Sequence, residues 1–260
     1  RLSAFILVDS PMRLTPDSTW LANWATNVNK AVEDNDNGLV TTNSYLGVFY
    51  PSGLTSDNFG NNIVVPASHM MLRTIALSDQ VSFPWFAPAG TRRGGITNAS
   101  STGYINAEGE FVSTALNEGQ RDTLYTNKVN PITFITGAGL VNYGQKSRCA
   151  GTSSLDRINV SRLVIYLRSQ LNKLARPFVF EPNDKITRDE IKAQAESLLL
   201  ELVGNRAIFD FLVVCDESNN TPTRIDRNEL YLDIAIEPVK AVEFIYIPLR
   251  LKNTGEIAGL

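Results

Sequence analysis

Short apolar runs alternate with longer amphipathic stretches along the first half of the chain. Residues 3–9 and 44–50 are predicted to be strands, because each is a brief apolar run bounded by turn-forming residues. Residues 15–38 and 66–79 carry apolar side chains at helical spacing, and a proline near the start of each stretch favours a helix there. The order strand, helix, strand, helix predicts a parallel α/β layer.

The middle of the chain is predicted to present an exposed loop. Residues 92–115 are rich in Gly, Ser, Thr and Asn, which is the composition of a surface loop or a small hairpin. A short helix at 117–124 and a strand at 131–136 are expected to follow, and the strand is expected to end in a glycine-containing turn.

One long amphipathic helix is predicted within residues 156–183. Its apolar side chains recur at helical spacing and share one face: Val160, Leu163, Val164, Leu167, Leu171 and Leu174. The same stretch carries a basic stripe that no acidic residue interrupts before Glu181: Arg157, Arg162, Arg168, Lys173 and Arg176. A short strand at 178–180 is expected to follow the helix.

The C-terminal part is predicted to contain one more helix and three strands. Thr187 and Glu190 have the spacing of a capping box, so this helix is expected to begin there and to end at about residue 203. Strands are predicted at 209–215, 230–236 and 244–251, where apolar and polar positions alternate or an apolar run is bounded by turns.

The last predicted strand belongs at the edge of a sheet, because Pro248 has no N–H group to donate to a neighbouring strand. An apolar edge strand is an aggregation hazard unless another chain covers it. The candidates for strand pairing with another subunit are therefore Phe244, Ile245, Tyr246, Ile247, Leu249 and Leu251.

The composition is that of a globular chain with a slight acidic excess. Its 260 residues, 28.7 kDa and 43% hydrophobic content are sufficient for one large core or two modest ones. The formal net charge is −3 and the sequence pI is about 5.3, so a basic stripe indicates an acidic partner unless it is simply a solvated helix face. Nucleic acid is a weaker candidate for that partner, since no aromatic ladder accompanies the arginines.

Sequence signals for membrane insertion and secretion are not found. No apolar run approaches the ~18 residues of a membrane span, and no leader precedes the first strand. Cys149 and Cys215 lie in unlike contexts, so a disulfide framework is not expected. Because the chain begins directly in a predicted strand without an initiator Met, we expect it to be a truncated or protease-resistant fragment of a longer protein.

Candidate catalytic chemistry is sparse. A Ser-His-Asp site would have to use His69, the single histidine, and no nucleophile-elbow motif supports it. One His and two distant Cys cannot form a zinc site. Residues 139–147 resemble a phosphate-binding loop, but one residue separates its second glycine from the lysine. An α/β hydrolase or nucleotide-binding enzyme that uses Lys146, Ser147 and Asp156 is the alternative; otherwise no catalytic residue, metal or cofactor is expected.

Several phrases along the chain resemble those of the contractile tail sheath proteins of bacteriophages. The C-terminal phrases are DRINVSRLVIYL at 156–167, FVFEPN at 178–183, the segment 211–216 and IEPVKAVEFI at 236–245. Upstream, residues 45–51, residues 65–95 and the run NPITFITGAGLVNYGQKS are similar to the strand, helix-start and loop pattern of that family. Residues 67–69 depart from the pattern, and this divergence, with the loop at 98–112, resembles the sheaths of giant phages of the phiKZ kind.

The resemblance implies a structural protein of mixed α/β fold in two parts. Residues 1–145 would form a layered α/β sheath domain related to subtilisin, with an exposed loop or hairpin at 92–115. Residues 146–260 would form a helix-and-strand C-terminal domain for assembly and tube contact. Sheath subunits stack in rings around an inner tube, link through terminal arms, and contract to drive the tube through the host envelope during genome delivery. The resemblance implies no enzymatic activity.

The resemblance also implies partners and location. Expected partners are other copies of the subunit, the tail tube protein and the baseplate, in a virion tail assembled in the host cytoplasm, without nucleic acid or membrane. Because the inner surface of the C-terminal region faces the tube in this family, the tube-facing candidates are Arg162, Arg168, Lys173 and Arg176. The chain alone is expected to be monomeric or poorly assembled, since the resemblance implies that it lacks the N-terminal arm. A sheath from another contractile injection device, such as a bacteriocin or secretion system, is a further interpretation.

Overall fold

The computed structural model describes residues 4–26 and 41–247. The helices are α1 (Ser18–Thr26), α2 (Ala67–Val81), α3 (Gly90–Arg93), α4 (Glu118–Thr126), α5 (Ile158–Ala175), α6 (Lys185–Gly204) and α7 (Pro222–Ile225). The strands are β1 (Ile6–Asp9), β2 (Leu46–Tyr50), β3 (Ser52–Ser56), β4 (Asn62–Val65), β5 (Ser101–Ile105), β6 (Phe111–Ser113), β7 (Val129–Ile135), β8 (Gly139–Asn142), β9 (Ile208–Val214) and β10 (Asp233–Pro238). Short 3₁₀ turns at Ser154–Asp156 and Arg176–Phe178 precede and follow α5.

β2 lies inside a four-stranded sheet with the order β1-β2-β7-β8. β1, β2 and β7 are parallel, and Val48 is in register with Val8 on one side and Val129 on the other. Every residue of β2 is buried, which explains its continuous apolar sequence, since a strand covered on both faces does not alternate. The predicted parallel α/β layer is confirmed. The antiparallel strand β8 extends it where the sequence predicts a turn.

A second sheet is antiparallel and has the order β4-β3-β5-β6. β5 and β6 form the hairpin predicted within residues 92–115. β3 and β4 occupy a largely polar segment, for which the sequence predicts only a loop. Their connecting turn is held by Asp57, whose carboxylate accepts hydrogen bonds from the backbone N–H groups of Phe59 and Asn61 at 2.8 Å each. β3 also pairs with β5, which joins this local hairpin to a strand that is distant in the sequence.

Asp17 caps α1, two residues after the start of the predicted helix. Its carboxylate accepts hydrogen bonds from the backbone N–H groups of Thr19 and Trp20 at 2.8 and 3.2 Å. The predicted continuation of this helix towards residue 38 lies outside the described residues. The predicted start of α2 is confirmed, with Pro66 in extended conformation at its N-cap.

Two predictions for the segment after α5 are wrong. Residues 178–180 do not form a strand, because the chain turns immediately after the helix and Phe180 adopts a left-handed φ of 78°. α6 begins at Lys185, earlier than the predicted capping box. Asp184 supplies the cap, and its carboxylate accepts a hydrogen bond from the Thr187 N–H at 2.9 Å.

α5 connects two hydrophobic clusters. Its first residue, Ile158, packs with Phe49 of β2 in a cluster that also includes side chains of α2. Leu163 and Leu167 belong to a second cluster with α6 and β9, and Trp85 from the first part of the chain completes it. The predicted apolar face of this helix is therefore buried, which leaves its basic side turned away from the core.

The C-terminal strands form a separate two-stranded antiparallel sheet, in which Val213 pairs with Ile234. Residues on one face of this sheet pack against α6. The predicted strand at 230–236 is observed slightly later, as β10. Residues 241–247, which include the first half of the predicted strand at 244–251, form no strand within the described chain. Leu249 and Leu251 lie outside the described residues.

Candidate assembly surface

The basic stripe of α5 divides into a paired part and an exposed part. Arg157 Nη2 donates to Glu243 Oε2 at 2.9 Å, and Arg157 Nη1 lies 3.0 Å from Asp156 Oδ2. Arg162 forms an ion pair with Asp79 of α2. The exposed part consists of Arg168, Lys173 and Arg176. Arg157 and Arg162 are therefore held by acidic groups of the same chain.

Arg162 does not project into solvent as its position in the stripe predicts. Its side chain is only 10% exposed, and its Nη2 donates to Asp79 Oδ2. The periodicity of α5 identifies which residues share a face, but it cannot reveal that α2 supplies an acidic neighbour to one of them. Arg162 links α2 to α5 within one subunit and is nearly buried, and its contact with a tail tube stays a prediction.

Arg168, Lys173 and Arg176 lie at the surface of the C-terminal half of the helix. The Arg168 guanidinium is 5.9 Å from the centroid of the Tyr45 ring. Across the described part of the chain, Lys173 and Arg176 have no ion pair with an acidic side chain. Lys173 and Arg176 therefore present positive charge that is available to an acidic partner.

Residues beyond β10 are attached to the body of the molecule through Glu243. Its carboxylate accepts hydrogen bonds from both Arg157 and Gln145, the latter at 3.1 Å. The next four residues expose large apolar side chains, with Phe244 68% exposed and Tyr246 88% exposed. We call residues 244–247 the apolar tail. An exposed apolar segment of this length that follows a fixed anchor indicates a contact with another chain.

The charges around Glu243 favour its ionised form. Burial by itself raises the pKa of the Glu243 carboxyl, but hydrogen bonds from Arg157, Tyr125 and Gln145, together with the Arg157 charge, hold that pKa below its ordinary value. Burial alone would lower the pKa of Arg157, whereas its hydrogen bond and charge interaction with Glu243 raise it. Each partner therefore stabilises the charged form of the other.

The two-stranded sheet has unpaired edges. Among the described strands, β9 pairs only with β10, and β10 only with β9. Phe209 and Leu212 on β9 are exposed, which leaves apolar side chains beside these edges. An extended apolar segment from another chain could add a strand here, since the unpaired N–H and C=O groups are available to it.

The residues of the alternative enzyme site are bonded within the fold. Lys146 Nζ donates to the backbone oxygen of Tyr125 at 2.8 Å and lies 4.0 Å from the centroid of its ring. Ser147 Oγ donates to the backbone oxygen of Leu155 at 2.7 Å. Residues that would form the start of a phosphate loop form β8 instead. These contacts connect neighbouring segments, and Lys146, Ser147 and Asp156 line one polar cleft of about 290 Å³.

Other candidate chemistry is equally sparse. His69 is exposed on α2, and the described ranges contain no group of His, Cys, Asp and Glu that could hold a metal ion. Cys149 and Cys215 are buried and not bonded to each other. None of the helices in the described ranges has the length and apolar character needed to cross a membrane.

Comparisons with known proteins identify the family. A family model described as the phage tail sheath C-terminal domain matches residues 151–252. The tail sheath protein of Vibrio phage KVP40 is 35% identical over 199 residues, which are 75% of this chain and 28% of that protein. The tail sheath protein of Enterobacteria phage T4 is 31% identical over 248 residues, which are 92% of this chain and 35% of that protein. This chain belongs to the phage tail sheath family.

A solved structure shares the fold of this sheath chain. One such structure is the helical sheath of the anti-feeding prophage in its contracted state. The match covers 96% of this chain and 71% of the solved chain, with a TM-score of 0.71 and 18% sequence identity. The mixed α/β fold predicted from the sequence is thus confirmed as a sheath fold. The chain spans about a third of the length of the two curated relatives. A closer relationship to giant phages of the phiKZ kind stays a prediction.

Two residues that shape this surface were not singled out from the sequence. Glu243 is an isolated acid within an apolar run, and that isolation was a signal that it has a specific partner. Asp79 lies on α2, far along the chain from Arg162, and nothing in the spacing of either helix indicates the pair. Only the packing of α2 beside α5 brings these two groups together.

Proposed function

We propose that this chain is part of a structural subunit of a contractile tail sheath, which assembles with other copies around an inner tail tube and contracts to drive the tube through the host envelope. The observation that carries the proposal is the apolar tail, exposed over four residues and attached just before them by the Glu243–Arg157 pair. Membership of the sheath family supports it. The subunit's place is then the virion tail, assembled in the host cytoplasm and attached to a baseplate.

In the assembly, the apolar tail of one copy adds a strand to an open edge of the β9–β10 sheet of another copy. Exposed Phe209 and Leu212 offer apolar contacts beside that edge. Backbone hydrogen bonds between strands do not depend on how the rest of each subunit is oriented. Such links can therefore persist while rigid subunits rotate and slide during contraction.

The exposed part of the basic stripe faces the tail tube. Arg168, Lys173 and Arg176 contact acidic side chains of the tube protein, and each exposed pair contributes only ~0 to 1 kcal/mol. Repetition over many subunits holds the tube in place, whereas each individual contact is weak enough to break on contraction. This function needs no catalysis, cofactor, nucleic acid or membrane.

The two proposed parts of the chain have different tasks in this arrangement. Residues 1–145 form the α/β sheath domain, and residues 146–260 form the domain for assembly and tube contact. The family model supports the second part, since it matches residues 151–252. Trp85 supports a firm connection between the parts, because it packs into the cluster of α5, α6 and β9.

Electron microscopy of the full-length protein co-expressed with its tail tube tests the proposal. Ile245→Asp combined with Ile247→Asp should abolish sheath assembly, because two charges in the apolar tail prevent its burial against another copy. Both side chains are about four-fifths exposed, at 78% and 81%, so the melting temperature of the variant should stay unchanged.

A matched control places the same charges on other exposed apolar side chains. Phe59→Asp combined with Leu200→Asp changes residues that are 92% and 61% exposed. This variant should still assemble. Normal sheaths from the tail variant, or equal failure of both variants, would contradict the proposed strand exchange.

A further inference from the structure

An apolar knob projects from the turn between α5 and α6. It consists of Val179, which is largely exposed, and Phe180, which is fully exposed. Phe180 also has a φ of 78°, a left-handed conformation that is unfavourable for a bulky side chain. The exposed carboxylate of Glu181 follows it, with no ion pair to the described residues. A fully exposed Phe in this conformation beside an exposed acid favours a contact with another molecule.

A groove of about 360 Å³ lies between α2 and α5. Its walls are mainly apolar, with Leu72 and Ile75 on α2 facing Ile165 and Tyr166 on α5. The volume is at the lower end of the ~300–1,000 Å³ of ligand pockets, which suits one or two side chains rather than a large molecule. Leu72 is 64% exposed, so the rim of the groove is open to an incoming chain.

The polar groups of this groove are incompletely satisfied. Arg162 and Asp79 both line it and pair with each other through one atom each. The other terminal atoms, Arg162 Nη1 and Asp79 Oδ1, are buried and make no hydrogen bond with any described residue. A buried, unpaired guanidinium N–H at the wall of an apolar groove favours a ligand that combines an apolar group with an acceptor.

We propose that the knob of one copy inserts into the groove of a second copy of this chain. Phe180 packs between the apolar walls, and the Glu181 carboxylate accepts a hydrogen bond from Arg162 Nη1. The proposal depends on the assembly proposed above, because it requires two copies in contact, but it uses a surface separate from the apolar tail.

One subunit cannot fill its own groove. The knob lies beyond the end of α5, about 15 Å along the helix from Ile165 at 1.5 Å per residue. The contact is therefore heterologous, since each copy offers a knob to one neighbour and a groove to another. Contacts of this kind form closed rings or open helices rather than two-fold dimers, and both arrangements are compatible with a helical sheath of stacked rings.

Disulfide cross-linking between two variants that each carry one added cysteine tests the contact. Val179→Cys keeps Phe180 in place, and Leu72→Cys marks the groove rim; the native Cys149 and Cys215 are buried and should not compete. When the two variants are mixed at high concentration under mild oxidation, the mixed dimer should form at least about tenfold faster than by random collision. Mass spectrometry of the non-reduced dimer identifies the linked pair.

Matched variants decide the outcome. Leu200→Cys, at 61% exposure, replaces Leu72→Cys as the collision control. Adding Phe180→Ala to the Val179→Cys chain should reduce the rate to the control level, and Glu181→Gln should reduce it several-fold. Equal rates with Leu72→Cys and Leu200→Cys, or no effect of Phe180→Ala, would overturn the proposal.

The same cross-link separates this contact from the strand exchange. Both cysteine variants can carry Ile245→Asp and Ile247→Asp, which block the apolar tail. Rapid cross-linking in that background without sheath formation would show that the knob contact forms independently of the apolar tail. Loss of the cross-link while sheaths still assemble would reject the knob and leave the proposed function intact.

Discussion

Glu243 connects the folded body of the subunit to the apolar tail that is proposed to contact other copies. Its carboxylate is 15% exposed and is bonded by Arg157 and Gln145, while the residues immediately after it are open to solvent. A two-point Arg–carboxylate contact restricts orientation as well as distance. Together with the hydrogen bond from the Val239 N–H to the Ala207 oxygen, this contact restricts the direction in which the apolar tail leaves the subunit.

Acid should release the anchor of the apolar tail. Because the folded-state pKa of Glu243 is lowered from its ordinary 4.5, the ionised carboxylate stabilises the fold above that ordinary value. This stabilisation, about 1–2 kcal/mol for a charge-assisted pair, is lost as the pH falls below the ordinary value and through the lowered one. Hydrogen exchange of residues 239–247 measured between pH 3 and pH 7 would show the loss of protection.

Glu243→Gln is the control for this effect, since its amide keeps the shape but has no titrating charge. The variant should be less stable than the parent near pH 7 and similar to it at pH 3. Urea unfolding curves that differ by the same amount at both pH values would show that the ionisation of Glu243 is not the cause.

α5 shows which structural features can be predicted from the sequence of a single helix. Its apolar repeat places Leu163 and Leu167 in the core as predicted, and its cations lie away from that core. The same repeat treats Arg162 and Lys173 as equivalent, yet one is held by Asp79 and the other is exposed. Charge reversal at the two positions must therefore have different consequences.

Reversal at the exposed end of α5 should weaken tube binding alone. Lys173→Glu combined with Arg176→Glu should impair sheath assembly on tubes and leave the melting temperature nearly unchanged, because both side chains are exposed. Arg162→Glu should instead destabilise the fold by about 2–4 kcal/mol, since it places a second carboxylate beside Asp79. Co-sedimentation with tubes and thermal unfolding measure the two effects.

Arg92→Glu combined with Arg227→Glu is the matched control, because both arginines are exposed and lie outside α5. Tube binding by this control should be normal. If it fails as the Lys173 and Arg176 variant does, total charge rather than the position of the stripe determines binding.

At the scale of the whole molecule, the two-stranded sheet and the apolar tail are complementary, because within the described chain the sheet has unpaired edges and the tail has no strand partner. The tail leaves from Glu243, and within the described chain it pairs with neither edge of the β9–β10 sheet. Small sheets gain stability from further strands. Ordered assembly would then depend on strand pairing with other subunits.

The isolated chain should consequently be monomeric or only weakly associated. Sedimentation velocity at micromolar concentration should show a species close to 28.7 kDa, because single weak contacts do not overcome the entropy lost on association. Light scattering that reveals sheath-like tubes formed by this chain alone would contradict the expectation.

The sequence by itself determined the elements whose signal is local. Apolar runs predicted β1, β2 and β7, helical repeats predicted α2 and α5, and the glycine-rich segment predicted the hairpin of β5 and β6. The family phrases predicted a sheath. These succeed because strand and helix periodicity depend on residues close together in the chain.

Only the tertiary structure decided which of these parts face one another. Pairing with β5 produced β3 and β4 from a polar segment, the packing of α2 hid Arg162, and Arg157 held Glu243 ahead of an exposed tail. Each of these depends on groups that are distant in sequence, so no local repeat encodes them. Burial and charge pairing depend on which residues are neighbours in space, and the tertiary fold determines those neighbours.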